Sequence, residues 1–179
     1  MKFVPGRLAG LYLVRLQKIE DGRGFFARSF CADEFRALGL DPAVVQCNLS
    51  FNRRRGTLRG MHFQAEPHAE AKLVRCQRGR IYDVAVDLRA GSPTFGQWEA
   101  FELGEEGDAL FIPAGFAHGF QTLIDDVEVH YQMSSRYEPA AARGVRWNDA
   151  ALGIRWPLAE VIVSDRDRGY PDLGAQAVR

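Results

Sequence analysis

Three side chains that could move a proton or stabilise a negative charge interrupt apolar, strand-like runs of the sequence. His62 lies in TLRGMHF, Lys72 in EAKLV and Tyr131 in VEVHYQM. An imidazole, with an ordinary pKa of about 6.5, suits a general base. Each of the three also has a structural interpretation, as a bonded core histidine, a solvated lysine or a packed tyrosine. The residue types alone leave both interpretations open.

The composition is that of an ordinary globular domain. The 179 residues are 46% hydrophobic and carry 23 basic and 23 acidic side chains, a balance that argues against a nucleic-acid surface as the main function. No apolar run is long enough for a membrane span or a signal peptide. Three widely spaced cysteines without a CxxC pair indicate reduced thiols. We therefore expect one cytoplasmic domain over residues 1–179, with no nucleic-acid or membrane partner.

Most of the chain has the pattern of short β-strands separated by turns. One segment, CADEFRALGLD, has the spacing of a helix. Many short antiparallel strands predict an all-β sandwich, jelly roll or barrel with one or two short helices. The predicted strands are 11–18, 24–30, 44–50, 57–63, 72–77, 80–88, 97–103, 109–112, 119–123 and 127–134.

The clearest pair of strands is AKLVRCQRGRIYDVAVDLR, which predicts a hairpin with its turn at Arg78-Gly79. Along the second strand Asp83 and Asp87 share one face, and the apolar side chains between them share the other. We expect the apolar face to pack on the core and the other face to carry the carboxylates.

The segment PAGFAHGFQ (113–121) resembles the second conserved motif of the cupin superfamily. In metal-binding cupins the histidine of this motif, here His118, joins two histidines and a glutamate of an earlier motif. The earlier strand supplies only His62, with Gly60 and Gln64 two residues away on either side. Since a zinc site usually needs three or four protein ligands, we expect no metal site, and we expect His118 to line the pocket or to be structural.

Nine blocks of sequence carry a closer resemblance, in order along the chain. They are DGRGFF, VQCNLS, GTLRGMHFQ, EAKLVRC, DVAVDLR, SPTFGQW, IPAGFAHGF, VRWNDAALGIRWP and SDRD. Together they resemble the dTDP-4-dehydrorhamnose 3,5-epimerase family over nearly the whole chain. The resemblance implies a cupin-like double-stranded β-helix, or jelly roll, that forms a homodimer with exchanged N-terminal strands. It further implies that the protein acts without metal or organic cofactor and inverts C3 and C5 of a dTDP-linked 4-keto-6-deoxy sugar.

Such a reaction needs a base, an enolate stabiliser and an acid on the opposite face of the sugar, because the 4-ketone acidifies the hydrogens on C3 and C5. The resemblance implies that His62 is the base and that Asp167 of SDRD bonds its other ring nitrogen. It implies that Lys72 stabilises the enolate and that Tyr131 is the acid. Asp83, on the carboxylate face, is a candidate partner that would keep Lys72 charged.

The resemblance also implies which residues bind the substrate. Arginine forks suit phosphate oxygens, and an aromatic side chain would stack on the base. The implied diphosphate, sugar, base and pocket contacts are Arg23, Phe26, Arg28, Gln46, Asn48, Arg59, His118, Tyr137 and Arg166.

Three of these residues bear on the base and on the dimer. Arg23 and Phe26 correspond to residues that the family contributes across the dimer to the neighbour's base. Arg28 stands where the family usually has a glutamate that helps to recognise thymine. The reversed charge leaves the identity of the base open.

Gly60 separates two of the implied pocket residues. In a regular strand Arg59 and His62 would point to opposite faces, yet the implied roles need both in one cavity. A glycine inside a strand often marks a bulge that redirects side chains. We therefore predict an irregular ladder near Gly60, with both side chains in the cavity.

Other functions remain open on the sequence alone. A related enzyme could invert only C3 or only C5, or use another nucleotide, and a sugar-nucleotide 3,4-ketoisomerase fits the residue spacing less well. A non-catalytic cupin that binds a sugar nucleotide is a different class. It would have no need for both a base and an acid.

Overall fold

The computed structural model describes residues 1–176 of the chain. Its strands are β1 (Lys2–Pro5), β2 (Tyr12–Arg15), β3 (Ile19–Asp21), β4 (Gly24–Phe26), β5 (Gln46–Asn52), β6 (Leu58–Gln64), β7 (Lys72–Arg78), β8 (Arg80–Asp87), β9 (Trp98–Gly104), β10 (Ala109–Ile112), β11 (Phe116–Thr122), β12 (Val127–Met133) and β13 (Ala142–Gly144). Its short helices are α1 (Ala32–Arg36), α2 (Asp165–Arg168) and α3 (Leu173–Gln176). The described residues thus hold three short helices of four or five residues.

Two antiparallel sheets form the body of the molecule, and β3 and β4 form a separate hairpin. The six-stranded sheet has the order β1-β2-β10-β7-β12-β5, and the five-stranded sheet has the order β13-β6-β11-β8-β9. Apolar side chains from both sheets, among them Leu110 and Phe120, form one buried core. The predicted all-β jelly roll is confirmed.

Three strands of the structure are not among those that the sequence predicts, and all three are short. β1, β3 and β13 have four, three and three residues, too few for an alternating pattern to stand out. The helix expected in CADEFRALGLD is present as α1. Residues 177–179 of the predicted domain lie outside the described residues.

The predicted hairpin at Arg78-Gly79 is wrong. β7 ends at Arg78 and β8 begins at Arg80, but β7 pairs with β10 and β12, whereas β8 pairs with β9 and β11. Gly79 has φ +86°, a conformation that favours glycine. The chain therefore passes from one sheet to the other at this single residue. The alternation of apolar and polar residues in β7 and β8 reflects the burial of each strand, not pairing of the two strands with each other.

The expected division of β8 into a core face and a carboxylate face is also wrong in part. Asp83 and Asp87 do share a face, but both are fully buried. The other face, with Val84 and Val86, packs against a second core cluster that includes Trp156 of the C-terminal segment. Both faces of β8 are buried because the C-terminal segment covers the outside of the five-stranded sheet.

The ladder between β6 and β11 is irregular at Gly60, as predicted. His62 faces His118 and Arg59 faces Phe120, so the register shifts by one residue between these pairs. The shift brings Arg59 and His62 to the same cavity. Gly60 has φ +142° at this point, a backbone conformation that a side chain would strain.

Apolar side chains are exposed on the β3–β4 hairpin and on the edge strand β5, two surfaces that are together called the exposed flank. Ile19 and Phe26 of the β3–β4 hairpin are 70% and 75% exposed, and Leu49 of the edge strand β5 is 60% exposed. Exposed apolar groups that lie together often mark an interface. None of the helices in residues 1–176 has the length and apolar run needed to cross a bilayer.

Candidate active site

A cavity of about 290 Å³ opens between the two sheets. β6 and β11 of the five-stranded sheet form one wall, and β5, β7 and β12 of the six-stranded sheet form the other. Its lining residues are Asn48, Ser50, Arg59, His62, Phe63, Gln64, Glu70, Lys72, His118, Phe120, Tyr131, Met133, Tyr137, Ala142, Arg143 and Arg166. Side chains from strands far apart in sequence therefore meet in one site.

His62 is bound by a buried carboxylate. Its Nε2 lies 2.8 Å from Oδ1 of Asp167, whose Oδ2 accepts a hydrogen bond from the Gly60 N–H at 3.1 Å. Burial raises the pKa of Asp167, but the hydrogen bonds from His62 and Gly60 outweigh it and hold the pKa below its ordinary value. An ionised carboxylate can only accept, so it fixes the proton on Nε2 and leaves Nδ1 able to act as a base.

The SDRD segment places Asp167 behind the imidazole. Ser164 caps α2, and its hydroxyl accepts a hydrogen bond from the Asp167 N–H at 3.1 Å. A serine three residues before an acid is typical of a helix start. The His62 side chain is 39% exposed, whereas that of Asp167 is 6% exposed. The imidazole can therefore meet a substrate while its partner is shielded from water.

Lys72 forms a buried ion pair with Glu70. The lysine Nζ lies 2.7 Å from Oε1 of Glu70, and the side chains are 7% and 4% exposed. Nζ also donates to the His62 carbonyl oxygen at 3.3 Å. The expectation that Asp83 is the partner of Lys72 is wrong, because Asp83 is bound to another side chain.

That side chain is His118, which gives the cavity a second His–Asp pair. Nε2 of His118 lies 2.6 Å from Oδ1 of Asp83, and both side chains are buried. The ring of His118 packs edge-on against Tyr131, with ring centroids 5.9 Å apart. His118 thus lines the pocket and supports the tyrosine.

Tyr131 projects from β12, on the wall opposite His62. Its Cα partner on β7 is Val74, two residues from Lys72, so Lys72 and Tyr131 share the face that lines the cavity. Burial and the charge of Asp83 raise the pKa of the Tyr131 phenol well above its ordinary value, although Arg59 acts in the opposite direction. The phenol therefore keeps its proton at neutral pH and can donate it only to a strong base, such as a carbanion of the substrate.

Positive charge is concentrated at the cavity. Among the described lining residues Arg59, Lys72, Arg143 and Arg166 are cationic, and Glu70 is the single acid. Such an excess suits a ligand with a diphosphate, since arginine binds phosphate oxygens in a forked geometry.

An adjoining hollow of about 240 Å³ contains Gln46 and shares Asn48 and Tyr137 with the cavity. The Gln46 side-chain amide donates to Asn48 Oδ1 at 3.0 Å and accepts from the Tyr137 N–H at 3.1 Å. The predicted sugar and base contacts are therefore hydrogen-bonded to one another beside the cavity that His62 and Lys72 line. Over residues 1–176, no group of three or more His, Cys, Asp or Glu side chains is arranged to hold a metal ion.

Comparison with known proteins gives a consistent result. A family model described as dTDP-4-dehydrorhamnose 3,5-epimerase matches residues 5–175. A dTDP-4-dehydrorhamnose 3,5-epimerase of Sinorhizobium fredii is 45% identical over 175 residues, which cover 97% of this chain and 90% of the relative. The chain belongs to the dTDP-4-dehydrorhamnose 3,5-epimerase family.

Two solved structures of this epimerase family are similar over nearly their whole length. The enzyme from Bacillus anthracis, solved with TDP and PPi bound, has a TM-score of 0.93 and 40% identity, covering 96% of this chain and 99% of that one. The enzyme from Legionella pneumophila, solved with dTDP-4-keto-L-rhamnose, has a TM-score of 0.91 and 36% identity, covering 97% and 93%. Both support the cupin-like jelly roll.

The structure brings most of the implied epimerase residues together and leaves three outside the cavity of this chain. Arg23 pairs with Asp21 at 2.6 Å in the β3–β4 turn, and Phe26 is exposed on the same hairpin. Arg28 pairs with Glu34 at 2.9 Å. A single chain therefore gives these three residues no contact with its own cavity, and their implied binding roles stay predictions.

Sequence reasoning missed several residues of the site, among them Arg143, Glu70 and Tyr170. Glu70 could have been found, because its spacing of two residues from Lys72 puts both on one face of an extended segment. Tyr170, in the segment YPDL, lies with its ring 5.7 Å from that of His62. No local pattern indicates this contact, since residues 62 and 170 meet only through the tertiary fold.

Proposed function

We propose that the protein is a metal-independent epimerase that inverts C3 and C5 of a dTDP-linked 4-keto-6-deoxyhexose. The observation that carries the proposal is the placement of His62 and Tyr131 on opposite walls of one cavity, with the buried Lys72 ammonium between the sheets. A base and an acid on opposite faces are what inversion of a carbon centre requires.

In the proposed reaction, Nδ1 of His62 removes the hydrogen from C3 or C5 of the 4-keto sugar. The electron pair moves to O4, where Lys72 stabilises the enolate oxygen. Tyr131 then donates its phenolic proton to the opposite face of the carbon, and the 4-ketone re-forms. Solvent takes the proton from the His62 imidazolium and returns one to the Tyr131 phenolate, so both groups are reset before the second centre reacts. Each transfer by a well-placed side chain contributes roughly 10²- to 10⁴-fold, and Asp167 stabilises the imidazolium that forms.

The cationic lining supports a nucleotide diphosphate as the anchor of the substrate. Arg59 and Arg166 would bind the diphosphate, and Tyr137 would stack on the base. Bound TDP and dTDP-4-keto-L-rhamnose in the two related structures favour a dTDP-sugar. Arg28 gives a reason to compare dTDP- and UDP-linked substrates. The family usually has a glutamate at this sequence position that helps to recognise thymine.

The experiment that tests the activity is solvent exchange in D₂O. With dTDP-4-keto-6-deoxyglucose we expect deuterium to be incorporated at both C3 and C5. Mass spectrometry measures how many deuterons enter, and NMR identifies the carbon that carries each. Deuterium at C3 alone would replace the proposal with a single-centre epimerase, and no exchange with either nucleotide would refute an epimerase of these substrates.

Two controls accompany this experiment. His62→Ala should abolish exchange at both centres, because the other histidine of that wall, His118, is buried and packs against Tyr131. Dialysis against a chelator should leave the rate unchanged. A rate lost to the chelator and restored by a metal would overturn the metal-independent mechanism.

We further propose that one cupin-like domain forms the whole functional unit and that two copies form a homodimer through the exposed flank, exchanging the N-terminal strands. The exposed Ile19, Phe26 and Leu49 support an interface there. Arg23 and Phe26 would then contact the partner's substrate. The free cysteines, with Cys47 exposed, fit a reducing cytoplasmic location.

A further inference from the structure

Tyr170 lies directly after α2 and contacts two parts of the site. Its ring packs edge-on against the imidazole of His62, with centroids 5.7 Å apart and an interplanar angle of 66°. Its hydroxyl oxygen accepts a hydrogen bond from Nε of Arg166 at 2.8 Å. One side chain therefore touches both the proposed base and a proposed phosphate ligand.

The backbone beside His62 leaves room for this ring. In the β13–β6 ladder the Cα partner of His62 is Gly144. A Cβ on Gly144 would lie 2.6 Å from two atoms of the Tyr170 ring, far inside van der Waals contact. The ring is therefore packed directly against the strand pair that carries the base, and it is half-buried there.

The contacts of Tyr170 complement those of its neighbours in α2. Asp167 fixes His62 through a single hydrogen bond at Nε2, which leaves the ring able to tilt about that bond. The edge contact with Tyr170 restricts that tilt. Arg166 directly precedes Asp167 in α2. The Tyr170 side chain therefore connects the Arg166 guanidinium, to which it is hydrogen-bonded, with the His62 imidazole, against which it packs.

We propose that Tyr170 is a positioning residue that holds the imidazole of His62 for proton abstraction and holds the Arg166 guanidinium for the substrate diphosphate. This inference rests on the proposed epimerase function. The hydroxyl acts on binding through Arg166, and the ring acts on the chemical step through His62. The two roles are carried by different parts of one side chain and can be separated by substitution.

The test compares Tyr170→Phe and Tyr170→Leu with wild type, with Tyr82→Leu as the matched control. Tyr82 is also a partly buried tyrosine that packs edge-on against a side chain of the C-terminal segment, Trp156, but it does not line the cavity. The measurements are kcat and KM for the sugar nucleotide, exchange at C3 and C5, and Kd for TDP by calorimetry.

We expect Tyr170→Phe to raise the Kd for TDP by roughly three- to tenfold, the effect of one lost hydrogen bond, and to keep kcat within about twofold of wild type. Tyr170→Leu should raise Kd similarly and also lower kcat by roughly ten- to a hundredfold, because a misplaced base is costly to the reaction. Tyr82→Leu should change neither constant.

Two results would overturn the inference. One is a Tyr170→Leu enzyme whose kcat equals that of Tyr82→Leu, and the other is a Tyr170→Phe enzyme with an unchanged Kd for TDP. Failure of the epimerase proposal itself is distinguishable, because wild type would then show no exchange at C3 or C5. The TDP measurement would still report on the bond between Tyr170 and Arg166.

Discussion

The ammonium of Lys72 depends on one carboxylate for its charge balance. Oε2 of Glu70 is buried and has no hydrogen-bond partner among the described residues, so Glu70 makes its side-chain bond through Oε1 to Lys72. A buried charge without a partner is strongly destabilising. The carboxylate therefore balances the charge of the lysine and fixes the direction of its ammonium in the cavity.

Replacing Glu70 by glutamine should lower kcat by roughly ten- to a hundredfold, since a neutral amide no longer orients the cation that stabilises the transition state. KM should change little. Steady-state kinetics measures both constants. The control variant is Glu128→Gln, at a position on the outer face of β12.

A double-mutant cycle decides whether Glu70 acts through Lys72. In a Lys72→Met background Glu70→Gln should have almost no further effect on kcat, because the two residues then form one unit. Equal fold-losses in both backgrounds would show that Glu70 acts independently.

Asp87 should make the stability of the protein depend on acid pH. Burial raises the pKa of its carboxyl, but hydrogen bonds from Arg89, Ser92 and Thr94 outweigh it and hold the pKa well below the ordinary value. A group whose pKa is lower in the folded state stabilises the fold above its unfolded pKa, about 3.9 for aspartate. This stabilisation is lost as the pH falls further, through the folded pKa.

Asp87→Asn should therefore lower the free energy of unfolding by about 2–3 kcal/mol at pH 7. The difference from wild type should shrink steadily as the pH falls below about 4. Urea unfolding at several pH values measures it, and a difference that stays constant down to pH 2 would contradict the assignment.

At the scale of the strands, the contact between β6 and β11 depends on two glycines. A Cβ on Gly60 would lie 2.5 Å from the Cα of Gly119, and a Cβ on Gly119 would lie 2.8 Å from the Arg59 carbonyl oxygen. The backbones approach too closely for any side chain there. This close approach accompanies the register shift that turns Arg59 and His62 towards one cavity.

Gly60→Ala should lower the free energy of unfolding by about 2–4 kcal/mol, from backbone strain at positive φ together with the steric clash. Gly22→Ala is the control, because nothing lies within 4 Å of a Cβ at that position, and it should change stability by less than about 0.5 kcal/mol. Urea unfolding compares the two. Similar losses would mean that the close approach is not the cause.

The sequence predicts those elements whose pattern is local. The alternation of β8 and the glycine within β6 each indicate what the structure contains. It does not predict that β7 and β8 lie in different sheets, because alternation is the same whichever strand is the partner. Tyr170 was not assigned because it meets His62 only through the tertiary fold. The Glu70–Lys72 pair was overlooked although its spacing is local, and His62 and Asp167 were found through a resemblance that spans the chain.

At the scale of the whole molecule, the proposed homodimer can be tested on the exposed flank. Leu49→Lys should convert a dimer into a monomer, because a charge would be buried in the interface. Ile124→Lys, on a turn between β11 and β12, is the control with a comparably exposed side chain, 47% against 60%. Light scattering after size-exclusion chromatography measures the mass.

The same variants test the implied contribution of Arg23 and Phe26 across the dimer. A monomeric Leu49→Lys protein should bind TDP more weakly than Ile124→Lys if these residues complete the partner's site. A wild-type protein that is monomeric at micromolar concentration would contradict the dimer proposal.

The passage of the chain between sheets at Gly79 has a consequence for synthesis on the ribosome. Strands that follow each other do not complete a sheet: Leu13 pairs with Leu110, and Phe51 pairs with Glu128. Closing such long loops costs entropy before the contacts can form. The six-stranded sheet needs β12, and the five-stranded sheet needs β13, which ends at Gly144. The six-stranded sheet can therefore be completed only after residue 133 of 179 has emerged, and the five-stranded sheet only after residue 144. The nascent protein must keep its apolar strands from aggregating until then.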